Sequence, residues 1–352
     1  MTNALLRLIV FILCSNVVAI LSSERCDMCT CDMVGSVLLL NCSDTKARQG
    51  DISGMIRQPY LDSYIRYNYE TIEAHFESSR IKTLSRLVLI NVDSLYLDHN
   101  EIVAIDPGTF VEIKNLRTLS LKDNNLQTLN ENSFHVLRHL KNLDLSYNKL
   151  QTLDEKSFQG LKNLENLNLS HNKLTKLPPG TFSSLLSLQT LSLSHNAIEN
   201  LEGEIFSLPK LQTLDVSFNS IFQIGLNVFD RAHNLRTLNL SNNIIAKIDD
   251  YKIVSLETLD LSCNNNVTVD PNAFTSLKSL KWMSLASNNL LEVPSTVEML
   301  TELRVLHLEG NAIKDLGDSV KELRLEECYV QNNYLQNFDV NAARLRVSNL
   351  QI

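Results

Sequence analysis

Cys26, Cys29, Cys31 and Cys42 are spaced C-x-x-C-x-C-x10-C, and four thiols so close together have two chemistries open to them. In a reducing compartment they suit zinc; in an oxidising one they form disulfides, for which sequence alone allows three connectivities. Residues 1–23 choose between these. Arg7, an apolar run from Leu8 to Leu21, and the small Ser22 and Ser23 before Glu24 read as a secretory signal peptide. A retained membrane anchor fits less well, because Ser15 and Asn16 interrupt an already short run. Disulfides in a secreted, extracellular chain are therefore expected, and Cys14 leaves with the signal.

Little else in the sequence could carry out a reaction. There is no glycine-rich phosphate loop, no paired metal-ligand histidines and no nucleophile elbow, so no catalytic residue, metal or cofactor is assigned and the chain is not expected to be an enzyme. No second apolar stretch is long enough to cross a bilayer, and the tail lacks a lipid-anchor signal, so no membrane span is expected in the mature chain. The net charge of −8 comes from intermixed acidic and basic residues, which argues against nucleic acid and for a partner that an acidic surface can steer. Four N-x-[ST] sequons occur, at Asn41, Asn168, Asn239 and Asn266.

The elements that would position any site follow from a repeat. Asn100, Asn124, Asn148, Asn172, Asn196, Asn219, Asn243, Asn264, Asn288 and Asn311 recur nearly always 23 or 24 residues apart, each in the frame L-x-x-L-x-L-x-x-N-x-L. A fixed period of this length predicts a solenoid. The alternating L-x-L core predicts a short half-buried strand, with the x residues pointing outward. The asparagine supplies two donors and an acceptor to backbone groups at the turn that follows, so stacked copies form a ladder. Ten residues further on, Phe110, Phe134, Phe158, Phe182, Phe206, Phe229 and Phe274 predict a second apolar spine.

This pattern resembles the leucine-rich repeat family across roughly residues 92–330. The resemblance implies an α/β solenoid: a curved horseshoe with a parallel β-sheet on the concave face and an irregular or short helical convex side. The implied organisation is a signal peptide (1–23), a cysteine-rich N-terminal cap (24–50), degenerate repeats (51–91), about 10–11 leucine-rich repeats (92–330) and a partial C-terminal repeat or tail (331–352). The cysteine spacing resembles the cap of extracellular members, which implies the pairs Cys26–Cys31 and Cys29–Cys42. Family roles imply a secreted module that binds a protein ligand in recognition, adhesion or innate immunity, similar to the secreted immune repeat proteins of invertebrates or to Toll-like ectodomains. A matrix protein of small leucine-rich proteoglycan type and an enzyme-inhibitor scaffold are the alternatives.

The outward strand positions hold the candidate partner-binding residues. Tyr147, His171, His195 and Phe218 precede successive ladder asparagines and are expected to stand side by side, with Asp144 and Asp215 on the strands beside them. Glycans on Asn168 and Asn239 would cover part of that face. Cys263 precedes Asn264 at an outward position, and an exposed odd thiol suggests an intermolecular bond in a homo- or hetero-dimer. Cys328 falls where the frame places the next ladder member, among Val320, Leu323, Leu325 and Val330.

Overall fold

The computed structural model describes residues 30–34, 37–41, 43, 71–84, 87, 92–264, 267–321, 323–335 and 346–351. The chain divides into two compact units, Met1–Asn168 and Leu169–Ile352. Cys26, Cys29, Cys42 and Asn266 lie outside the described residues, as does the signal segment; of Cys31 only the backbone is described.

The first unit begins with an antiparallel hairpin, Thr30–Val34 against Val37–Asn41. Its second strand pairs in parallel with Thr71–His75, and Ser94–Tyr96, Thr118–Ser120, Asn142–Asp144 and Asn166–Asn168 follow, each parallel to the one before. Ala74, Leu95, Leu119, Leu143 and Leu167 come into register at the strand centres and are buried. The second unit repeats the arrangement with Thr190–Ser192, Thr213–Asp215, Thr237–Asn239, Thr258–Asp260, Trp282–Ser284, Val305–His307, Arg324–Tyr329 and Arg346–Gln351, all parallel. Both units are solenoids of short parallel strands, about eleven coils in all.

The outer side of each coil is built from turns. Two short parallel pairs, Asn200–Leu201 with Gln223–Ile224 and Lys247–Ile248 with Thr268–Val269, and one 3-10 helix, Ser295–Met299, are its regular pieces among the described residues. Beneath those turns the phenylalanines stack as the spacing predicts: Phe110 on Phe134 (6.1 Å), Phe182 on Phe206 (6.4 Å) and Phe206 on Phe229 (6.0 Å). Tyr251 extends the last stack edge-on at 5.7 Å. In two of the turns a hydroxyl just before the ring bonds the preceding coil: Thr109 donates to Leu84 O and Ser133 to Ile105 O, so these buried polar groups are satisfied.

The structure supplies a register that the sequence reading of 51–91 as degenerate repeats left open, and changes one at the other end. Within 51–91, Ser79 takes the ladder position after Ala74 and Phe76, and Ile81 the last apolar one. At the other end, Cys328 is not a ladder member. It occupies the strand centre opposite Leu306, fully buried, and Asn333 makes the ladder contacts. The frame is therefore Leu325, Cys328, Val330, Asn333 and Leu335, which places Asn333 22 residues after Asn311. Cysteine at a leucine position hid the register, because the shorter frame also fits an apolar series.

Candidate functional site

The ladder determines which side chains are displayed. In each coil the asparagine Nδ2 donates to the carbonyl three residues back and to its equivalent in the preceding coil, as Asn243 does to Leu240 O (3.0 Å) and Val216 O (3.1 Å). Its Oδ1 accepts an N–H from the preceding coil, as Asn243 does from Ile221 (3.0 Å). The residue just before each asparagine then has positive φ: His99, Asp123, Tyr147, His171, His195, Phe218, Asn242, Cys263, Ser287 and Asn332 lie between 51° and 56°. Left-handed backbone costs a non-glycine residue about 1–2 kcal/mol, so this column is held there by the ladder.

That column and the outward strand residues form the candidate interaction surface. In the second unit His171 stacks on His195 (centroids 4.1 Å, 10° between planes), and His195 on Phe218 (4.2 Å, 8°). His195 is exposed and Phe218 is 47% exposed, so the stack is presented outward. Tyr147 belongs to the first unit; it is 46% exposed and carries the Lys122 ammonium 5.4 Å over its ring. Asp144 and Asp215 are half-buried, and each turns one carboxylate oxygen back to the N–H two residues on, Ser146 (2.8 Å) and Ser217 (3.0 Å).

The remaining candidates are placed as follows. Asn168 is half-buried at a strand end and donates to Asp144 Oδ2 at 3.4 Å. Asn239 is half-buried, with Oδ1 accepting from Ser241 N at 3.0 Å, which leaves its nitrogen the atom open to glycosylation. Asn41 is exposed and accepts from Ser43 N. Cys263 is exposed and Cys328 buried, both as free thiols; burial pushes the Cys328 thiol up to about 12.

Sequence reasoning missed a second aromatic row. Trp282 lies 5.2 Å from His307 at a tilt of 48°, and His307 stacks on Tyr329 at 4.3 Å and 4°. Correct register in the last coil would have revealed it, because aligning Asn333 with Asn311 sets Tyr329 beside His307.

More than half of the chain matches sequence descriptions of one family. Residues 90–150, 138–198, 186–245 and 254–313 match "Leucine rich repeat", and residues 233–273 match "Leucine Rich repeats (2 copies)". The chain belongs to the leucine-rich repeat family. No curated protein matches it in sequence. Among solved structures this leucine-rich repeat chain is similar to TLR13 in its complex with ssRNA13, with 28% identity and a TM-score of 0.72 over 80% of this chain and 43% of that one. It therefore spans less than half the length of that neighbour. The APL1 leucine-rich repeat domain shares 21% identity and a TM-score of 0.64 over 90% of this chain and 86% of that one. An internalin, inlF from Listeria monocytogenes, gives 21% and 0.66 over 97% and 94%. These last two likenesses speak to the fold alone.

In the leucine-rich repeat coils the asparagines and turn hydroxyls hold buried backbone groups, and the displayed side chains are spread along a face. No group of three or more histidine, cysteine or carboxylate side chains suited to a metal occurs among the described residues. No described helix is long and apolar enough to cross a membrane.

Proposed function

We propose that this protein is a secreted recognition module that binds a protein ligand through its strand face and the adjoining left-handed column, in innate immunity or cell recognition. The observation that carries this reading is the His171–His195–Phe218 stack. Three aromatic side chains are ordered against one another on the surface, and Phe218 contributes an exposed ring that the fold itself does not bury. Rigid aromatic surface of this kind anchors protein interfaces at low entropic cost.

Two further points support it. A cysteine-rich cap over 24–50 with the pairs Cys26–Cys31 and Cys29–Cys42, behind a signal peptide over 1–23, belongs to the same reading, because the first coil of a solenoid needs a cover for its core. The choice of protein over nucleic acid rests on charge. TLR13 is seen with ssRNA13, and Toll with Spatzle. In this chain the outward positions either side of each buried strand centre, and the one two residues further on, carry Lys122 as their one lysine or arginine over the described main-sheet strands from Thr71–His75 to Arg324–Tyr329, against Glu73, Glu77, Asp98, Asp144, Asp215, Asp260, Glu309 and Glu327, with the exposed Arg324 standing outside those positions at the start of the last strand. A phosphate backbone would meet repulsion there rather than counter-charge.

The test is capture of extracellular partners by the mature protein and by a His195→Ala/Phe218→Ala variant of matched circular dichroism. A partner held by the wild type and lost at least tenfold by the variant is expected. Equal capture by both removes the ridge as the binding surface.

A further inference from the structure

The strand face near the C-terminal end differs from the rest, both in its side chains and in its charge. The coils with strands Trp282–Ser284, Val305–His307 and Arg324–Tyr329 present Trp282, His307 and Tyr329 as a continuous ring row, each ring half-buried. Around it stand two carboxylates. Glu309 Oε1 bonds His307 Nδ1 at 3.0 Å, and Glu327 Oε2 accepts the Tyr329 hydroxyl proton at 2.7 Å. Glu309 Oε2 and the neighbouring Gln331 Oε1 meet no donor.

Of the cations around these coils, Lys281 binds Glu257 (2.7 Å) and Arg304 binds Glu326 (2.9 Å) along the edge just before the strands, Lys321 binds Asp318 (2.7 Å), and Arg324 is exposed at the start of the last strand. No described lysine or arginine forms an ion pair with Glu309 or Glu327. On the face that carries the rings, Glu309 meets only His307 and Glu327 only the Tyr329 hydroxyl among the described residues, so no lysine or arginine pairs with either carboxylate there. Aromatic faces attract cations, and guanidinium can stack on a ring while its fork reaches carboxylate oxygens. Asn239, the nearest sequon on this face, lies one coil beyond Asp260 and two from Trp282.

We propose that the Trp282–His307–Tyr329 row, with Glu309 and Glu327, is the docking surface for an arginine-bearing basic segment of a protein partner. This deepens the binding-module reading and rests on it. Trp282 is the one tryptophan in the chain, so its fluorescence reports on this surface alone.

The experiment titrates the purified mature protein with a four-repeat Arg-Gly-Gly peptide, following Trp282 emission, with Lys-Gly-Gly and Glu-Gly-Gly peptides alongside. The expected result is a saturable change with the arginine peptide, at least fivefold tighter than with lysine and absent with glutamate. The isosteric Glu309→Gln/Glu327→Gln variant should weaken it at least tenfold, and Glu155→Gln, an exposed carboxylate of the other unit, should not. No emission change, equal binding of lysine, or an equal loss in Glu155→Gln overturns the proposal. Partner capture that persists in Glu309→Gln/Glu327→Gln but is lost in His195→Ala/Phe218→Ala also overturns it while leaving the binding module standing. Capture of nothing by the wild type fails the module reading independently of the peptide result.

Discussion

At the residue scale, the same side chain has opposite properties on either side of the ladder. Cys263 and Cys328 are both free thiols, yet Cys263 sits in the exposed left-handed column and Cys328 at a strand centre. Thiolate is the reactive form, and with its pKa pushed up to about 12 by burial Cys328 stays protonated at any physiological pH. Brief iodoacetamide treatment at pH 8 should alkylate Cys263 in the native protein and Cys328 only after denaturation, as read by peptide mass mapping. Asp98 gives a second residue-scale prediction. Burial raises its pKa, with Asp144 and Glu77 adding repulsion, although Ser120 Oγ–H and Lys122 N–H bonds oppose the shift. A carboxylate whose folded pKa is raised favours folding below its unfolded value and loses that contribution as pH rises through the folded pKa. Asp98→Asn keeps the Oδ1 acceptor without the charge. It should raise stability at pH 7, by less than about 1 kcal/mol because the group is only half-buried, with the gain vanishing below about pH 4. Urea titrations at the two pH values check it.

At the element scale, the coil is the unit of stability, and the ladder asparagine is what joins one coil to the next. Asn333 binds Leu308 O (2.9 Å) and Val330 O (2.9 Å) and accepts Ile313 N–H (3.0 Å). Asn333→Ala would leave those backbone groups without partners, at about 1–3 kcal/mol for a site that water partly reaches. A fall in the urea midpoint is expected; an unchanged midpoint would contradict the register assigned to this coil. The strands and the phenylalanine stacks were legible in the sequence because both depend on spacing. Leu143 or Phe134 can only be buried where a neighbouring coil repeats it, so periodicity implies contact. The register of the last coil was not legible, because Cys328 and Val330 satisfy more than one apolar alignment and only strand pairing chooses between them.

At the scale of the whole molecule, a solenoid separates the residues that hold the fold from those it displays. Strand-centre leucines, ladder asparagines and spine rings are buried, and nearly everything chemically distinctive lies on the strand face or in the left-handed column. Glycosylation is decided at this scale. Asn239 turns its Oδ1 to Ser241 N–H, so a glycan on its nitrogen costs the fold no hydrogen bond, and Asn168 stands on a strand end of the first unit. Treatment of the protein, produced in a host that N-glycosylates, with an N-glycanase should convert Asn168 and Asn239 to aspartate, detected as mass shifts in their peptides; unmodified asparagine at both would show that the N-L-S sequences serve the repeat alone. The sequence by itself determined the family, the coil repeat, the ladder from Asn100 to Asn311 and the spine, because local periodicity and burial say the same thing in a repeat protein. Tertiary structure alone decided which surface residues meet. It stacks His171 on His195 on Phe218, moves the ladder from Cys328 to Asn333, and joins Trp282, His307 and Tyr329 beside Glu309 and Glu327. Residues some 20 positions apart become neighbours only when the coils are stacked in register, and a one-coil error in that register rewrites the surface.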